Sequence, residues 1–362
     1  MRPLHRWTFV ALAVALVVLV PITVRALPVP DESVSARDLF ARIRAGEQVG
    51  YSGTVEVHGR LALPVSDHFT DVADLLGGDT RMRVWWRDSD QWRVDKLLPT
   101  GEVDLFHHGR ATIRWDYERA EAQSGIDPRI RLPRDADLLP PALAQRALSD
   151  ADPADLSRLP ARRVAGHDAL GLRLRPSDPR TSIDHIDLWA DAATGLVLAL
   201  DAYGDGSQPA LSTSFTSVDV SRPPSRATSF HAAHGLRQTV DDVLDIADAA
   251  NQYAPLLPPD SVAGLAKSDS AQDAVGIYGS GLTQLMALPL QSRDAAYLAD
   301  QLRTSGARQV GGQLLLRVGP LGVALTFSHS PFDFAWVVAG TVTDDTLIRA
   351  SRDLDRGTRY RE

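Results

Sequence analysis

The chain has 362 residues, enough for two or three packed cores, and its 44% hydrophobic and 23% charged content is that of an ordinary globular protein. A formal net charge of −8 gives no basis for a nucleic-acid partner. The absence of cysteine excludes disulfides, thiol catalysis, zinc ribbons and a lipidated N-terminal cysteine.

The N-terminus reads as an export signal. Arg2 and Arg6 precede an apolar run from Trp7 to Val20, Pro21 breaks it, and Val24-Arg25-Ala26 offers a small-residue cleavage site. Residues 1–26 are therefore a signal peptide released after Ala26, or an uncleaved anchor spanning residues 7–24. Either way the body lies on the outer face of the cytoplasmic membrane, with the positive charge inside. Ser35 and Asp38 open a short helix with Leu39, Phe40 and Ile43 on one face. A strand follows from Tyr51 to about Leu63. Residues 65–79 interrupt it with Phe69, Val72 and Leu76 at helical spacing, Leu75 beside them, and Gly77-Gly78 as the stop.

Four strands are predicted over Arg81–Arg87, Gln91–Leu97, Glu102–His107 and Ala111–Tyr117, separated by turn formers. Residues 135–148 read as a helix with Pro140-Pro141 near its start, and a Pro/Asp-rich loop runs on to Pro160. Residues 161–203 carry strict period-2 alternation. Leu170, Leu172 and Leu174 form one strand, Ile186 and Leu188 a second, and Leu196, Leu198 and Leu200 a third. Ala192–Gly195 is a tight turn between the last two. A last strand covers Ala210–Val220. The class is α+β: so many sequential strands must curl into a curved antiparallel sheet, an unclosed barrel with helices on its concave side.

The large domain is placed at 33–220 and a linker with Pro223-Pro224 at 221–237. A smaller α+β domain follows at 238–355, and then a loose tail at 356–362. The small domain starts with an amphipathic helix over Thr239–Asn251 that turns Val240, Val243, Leu244 and Ala247 inward. Strands near 274–278, 283–288, 313–318, 322–327 and 334–340 follow, with a helix over Arg293–Thr304 between them and a Thr343-capped helix after them.

No nucleophile elbow, P-loop, zinc-protease motif or dinucleotide fingerprint is present, and Gly279-Ser280-Gly281 reads as a hairpin turn. Adjacent His107 and His108 face opposite sides of a strand and cannot share a metal there. His185 and Asp187, two apart on a strand, are the one pair suited to acid–base chemistry or metal binding, set against a plain solvated polar face. Trp85, Trp86, Trp92, Phe106, Trp115 and Tyr117 fall in one meander and read as packed sheet core. The competing expectation is an apolar, lipid-sized cavity lined by Val55, Val57, Met82, Val84, Trp86 and Val94. Phe69, Val72, Leu75 and Leu76 would cover it as a lid or a fixed plug.

Several segments resemble the extracytoplasmic sigma-E regulators of the MucB/RseB type, whose large domain shares the half-barrel of lipoprotein carriers such as LolA. They are Tyr51-Ser-Gly-Thr-Val55, Val164–Pro176, Ile186–Leu196, Ile277-Tyr-Gly-Ser-Gly-Leu282 and Val338-Ala-Gly-Thr-Val342. The resemblance covers about residues 33–355, and the Arg/Ala/Asp-rich composition, with only Lys96 and Lys267 as lysines, suggests an actinobacterial member. It implies a protein that is not an enzyme and needs no cofactor or metal. Such a regulator of the stress response binds a membrane anti-sigma factor, or a similar envelope protein, mainly through its small domain and shields it from proteolysis. A lipid or lipoprotein at the large domain releases it. On this reading an exposed apolar edge of Leu282, Leu285, Phe332 and Phe334 meets the partner. The alternatives are a lipid or lipoprotein carrier of the envelope and an enzyme using His185 and Asp187.

Overall fold

A computed structural model of the chain describes residues 29, 31–61, 70–128, 130–231, 237–240, 250–251, 256–268, 274–327 and 334–360. The N-terminal export segment, Phe69, Phe332 and the predicted helical positions 241–249 lie outside the described residues. Val72 lies in a described helix, but its side chain is outside the description. Among the described residues no helix is long and apolar enough to cross a membrane.

The larger unit is one open sheet of twelve strands. They are β1 (Tyr51–Gly59), β2 (Asp79–Asp88), β3 (Gln91–Leu97), β4 (Glu102–His108), β5 (Ala111–Asp116), β6 (Glu121–Ile126), β7 (Leu156–Val164), β8 (His167–Leu174), β9 (His185–Asp191), β10 (Val197–Tyr203), β11 (Leu211–Asp219) and β12 (Arg237–Val240). Their order is β12-β6-β5-β4-β3-β2-β1-β11-β10-β9-β8-β7, so two meanders join where β1 pairs with β11. A sheet this wide curves under its own twist, and its edges, β12 and β7, do not meet. All pairings are antiparallel except β12 on β6, which is parallel.

Three helices, α1 (Ala36–Gly46), α2 (Thr70–Gly77) and α3 (Pro140–Leu148), pack against the sheet's apolar side chains. Ser35 caps α1, its hydroxyl accepting from the Asp38 amide. Leu39 and Ile43 then bury against Leu170, Leu172, Leu188 and Leu200, whereas an irregularity between Val197 and Ala199 turns Leu196 and Leu198 into the other core, so the expected third strand does not keep one face. Asp191 fixes the β9–β10 turn by accepting from the amides of Ala193 and Thr194 and the Thr194 hydroxyl. Gly195, at φ +76°, completes it.

The smaller unit is a six-stranded sheet between two helices. Three two-residue strands, β13 (Leu256–Leu257), β14 (Ser261–Val262) and β15 (Leu265–Ala266), lead into it. The sheet holds β16 (Gly276–Ser280), β17 (Thr283–Gln291), β18 (Arg308–Val310), β19 (Gln313–Val318), β20 (Leu321–Phe327) and β21 (Phe334–Gly340), in the order β16-β17-β21-β20-β19-β18. Helix α4 (Ser292–Thr304) packs on Leu314, Leu316 and Ala335, and α5 (Asp344–Gly357) packs with Leu315, Trp336 and Val338. Both faces are buried, so β19 reads as a continuous apolar run.

Three further expectations are corrected. Thr239 and Val240 extend as part of β12 instead of opening a helix; they add to the free edge of β6, and Val240 is 79% exposed. This stretch thereby belongs to the large sheet. Strand β7 begins at Leu156, inside the expected loop: Pro160 is tolerated because β7 is an edge strand with a bulge between Leu159 and Arg162. The described part of the expected loose tail, 356–360, is ordered, since α5 runs to Gly357 and β22 (Arg359–Tyr360) pairs with β13.

Candidate functional site

The expected cavity wall is a filled core. Val55, Val57, Met82, Val84 and Val94 are buried and packed with Leu75, Ala136, Leu138 and Leu139. Trp86 and Leu76 sit half-buried at its margin. The short helical turn Asp135–Leu138 before α3 lies on this face, held where the Thr213 hydroxyl donates to the Leu138 carbonyl. Leu75 is packed into this core. Beside it, Tyr51, Trp86, Trp92 and His107 stack across β1 to β4 at ring separations of 6.0, 5.5 and 4.8 Å, close to parallel. Burial lowers the pKa of His107, which favours its neutral form in the stack.

The aromatic meander splits between the two faces. Trp85, Phe106 and Trp115 occupy the opposite side, where Phe230 of the linker packs on Phe106 and Trp115. The Arg93 guanidinium lies over Trp85 and Phe106. Tyr117 is exposed. Directly paired Arg83, Asp95 and Asp104 form a charged ladder on this face. Arg93 donates from Nε to Asp95 at 2.5 Å and from Nη2 to Asp95 at 2.9 Å and Asp104 at 2.8 Å; Arg83 bonds Asp95 and Glu102. Burial, and then the adjacent Asp95 charge, push Asp104 up to about 7. Asp95, Glu102 and Asp104 bring carboxylate oxygens within 4.8 Å of one another, as a cation site requires, but the two guanidiniums already fill that role.

His185 and Asp187 are not a solvated face. Asp187 is buried and takes two 2.6 Å bonds from its cross-strand partner Arg173. His185 stacks on its own partner Tyr203 at 4.2 Å, with Nδ1 2.5 Å from Asp184. Both groups belong to cross-strand pairs, and Asp187 is saturated by arginine.

The expected apolar edge of the small unit does not form as an exposed strip. Leu285 is 1% exposed and Phe334 8%; both lie in the core beneath α5. Leu282, in the two-residue turn between β16 and β17, points the other way and packs against the core beneath α1 and α3.

That contact marks a seam between the units which the sequence did not reveal. Thr181 bridges to Val342, and its hydroxyl lies 3.1 Å from the Leu282 carbonyl. Ser182 donates from its amide to Thr341 and from its hydroxyl to Pro320; Arg180 reaches the Gly264 carbonyl at 2.6 Å. Among the described residues several cavities open along the seam, and three of them border the Gly281-Leu282 turn. The first, about 610 Å³, has Asp150, Asp152, Asp155 and Asp178 on one side and the turn from Gly279 to Thr283 on the other. The second, about 560 Å³, holds Arg131, Asp137 and Arg146 against β17 and β21. The third, about 250 Å³, is lined almost wholly by apolar atoms, among them Leu76, Leu143, Ile186, Leu200, Leu282 and Leu321. Arg146, Gly281 and Thr341 border both the second and the third.

Arg146 stands on a basic cluster. Asp137 accepts from Arg131 at 2.7 and 3.2 Å, from the Arg134 amide at 2.8 Å and from Arg146 at 2.7 Å. Burial alone would raise the Asp137 carboxyl, but these bonds and charges hold it below the usual range. Asp127 pairs with Arg131 and Arg134. Three guanidiniums thus face two carboxylates, and Arg146 is the exposed one, with 61% of its side chain open to solvent.

No family model and no curated protein sequence matches the chain. Solved structures do, and two of them align along most of the chain. A chain of the Pseudomonas aeruginosa MucA/MucB complex aligns over 90% of this chain and 99% of its own, at 18% identity and a TM-score of 0.50. MucB in complex with MucA(peri) aligns over the same shares, at 17% identity and a TM-score of 0.50. At this identity the likeness establishes architecture. The chain has the fold of MucB, a wide curved sheet followed by a smaller sheet unit, as the resemblance read from its segments implied.

Proposed function

We propose that this protein is an extracytoplasmic regulator that binds the outer segment of a membrane anti-sigma factor and is released by an apolar ligand. The observation that supports this reading most is the likeness to MucB along 90% of the chain, because both matching structures contain MucA. The export-type N-terminus agrees with it, as does the engagement of Asp187 by Arg173 in the one candidate acid–base pair.

In this reading the partner meets the small unit at the Gly281-Leu282 turn and the cleft beside it, rather than along Leu285 and Phe334, which the core uses. Asp150, Asp152, Asp155 and Asp178 outnumber Arg180 and Lys267 in the cleft's lining, a balance that suits a partner segment carrying arginine or lysine. The test is direct binding between the purified protein and the outer segments of the single-span anti-sigma factors of its source. One segment binds at micromolar affinity or better, and reversing Asp150 and Asp152 to lysine weakens it at least tenfold. Failure of every segment to bind would overturn the proposal.

A further inference from the structure

Among the described residues no side chain fills the apolar cavity at the seam. Its lining offers almost no polar atom, and a buried water needs two to four polar partners. The cavity is half open, and apolar surface left against water forfeits the free energy that burial under an apolar ligand recovers. Its volume of about 250 Å³ lies just below the ~300 Å³ at which ligand pockets begin, room for one medium-length hydrocarbon chain rather than two. The wall it shares with the larger polar cavity carries Arg146, the exposed member of a cluster with more guanidiniums than carboxylates. Asp137 is already bonded by Arg131 and the Arg134 amide, so Arg146 can turn to a second anion without leaving that carboxylate bare.

We propose that the seam binds a single-chain amphiphile with an anionic head, its tail among Leu76, Leu143, Ile186, Leu200 and Leu282 and its head on Arg146. This rests on the reading above of an apolar-ligand-responsive regulator, and it moves the ligand from the filled core under β1–β3 to the junction of the two units. Both units contribute to the site, so occupancy reports on how they sit together.

The test is calorimetric titration of the protein, purified as its host exports it, with decanoate, with decanol and with phosphatidylglycerol vesicles. Decanoate binds more tightly than decanol, and Arg146→Ala weakens decanoate roughly tenfold while leaving decanol unchanged. Ala202→Phe, which fills the pocket from β10, weakens both at least tenfold; if that variant does not fold, Leu282→Phe fills it from the other wall. Four results would overturn the proposal: no binding of decanoate, equal affinities for decanoate and decanol, decanoate affinity indifferent to both changes, or binding of vesicles alone. Capture of the anti-sigma segment is measured on the same preparations. Segment bound without decanoate refutes this site and leaves the regulator; decanoate bound without any segment does the reverse.

Discussion

At the scale of single residues, the charged ladder outside β2–β4 is the most consequential feature. Asp104 is 3% exposed and sits against Asp95 with one guanidinium between them. Its carboxyl is raised in the folded protein from 3.8 to about 7. The folded state therefore holds a proton that the unfolded state has released between those values. The group's stabilising contribution is complete below about 4 and is lost as pH rises through about 7. Asp104→Asn keeps an oxygen for Arg93 and an amide donor for Asp95, with no titration. Urea unfolding from pH 4 to 8 should show the variant gaining on the native protein as pH rises; parallel profiles would refute the assignment. None of this was legible in the sequence. Arg83, Asp95 and Asp104 become neighbours only through the β2–β3–β4 register. The adjacency of Asp184, His185 and Asp187 was visible, whereas the arginine that saturates Asp187 was not.

At the scale of elements, alternation identified the strands that bury one face and failed where another rule governed. Strands β8 and β9 and the β9–β10 turn were readable because apolar residues recur at every second position and Gly195 closes the turn, whereas β10 was readable as an apolar run whose irregularity at Val197–Ala199 the pattern did not show. Strand β19 was readable from its length alone. Strand β6, Glu-Ala-Gln-Ser-Gly-Ile, has no apolar period and was missed; β4 orders it through β5, and β12 covers its far side. Helical spacing at Thr239 and Val240 lost to that open edge, since unpaired strand groups take up an extended segment within reach. Turn and helix also meet backbone to backbone. A Cβ on Gly195 would lie 2.2 Å from the Arg42 carbonyl oxygen of α1, at a φ of +76°. Gly195→Ala should cost about 2 kcal/mol or more in urea unfolding and loosen α1 from the sheet. An unchanged midpoint would contradict this packing.

At the scale of the whole molecule, the feature that local sequence patterns do not carry is how the two sheets meet. Both architectures followed from strand count and turn spacing, but the seam joins Thr181, Leu282, Pro320 and Thr341, which no local pattern connects. Val55, Val57, Leu285 and Phe334 are buried in the two cores; of the described residues expected at the partner, Leu282 packs into the large unit and Leu285 borders the second cavity. The account predicts that the turn bearing Leu282 is where a membrane partner is held. A photoreactive residue at exposed Ser280, on the wall of the 610 Å³ cleft, tests this in the native host. Irradiation should yield one adduct with a single-span anti-sigma factor, diminished by Asp150→Lys. Adducts with lipoproteins alone, or none at all while a position on α4 crosslinks, would contradict it.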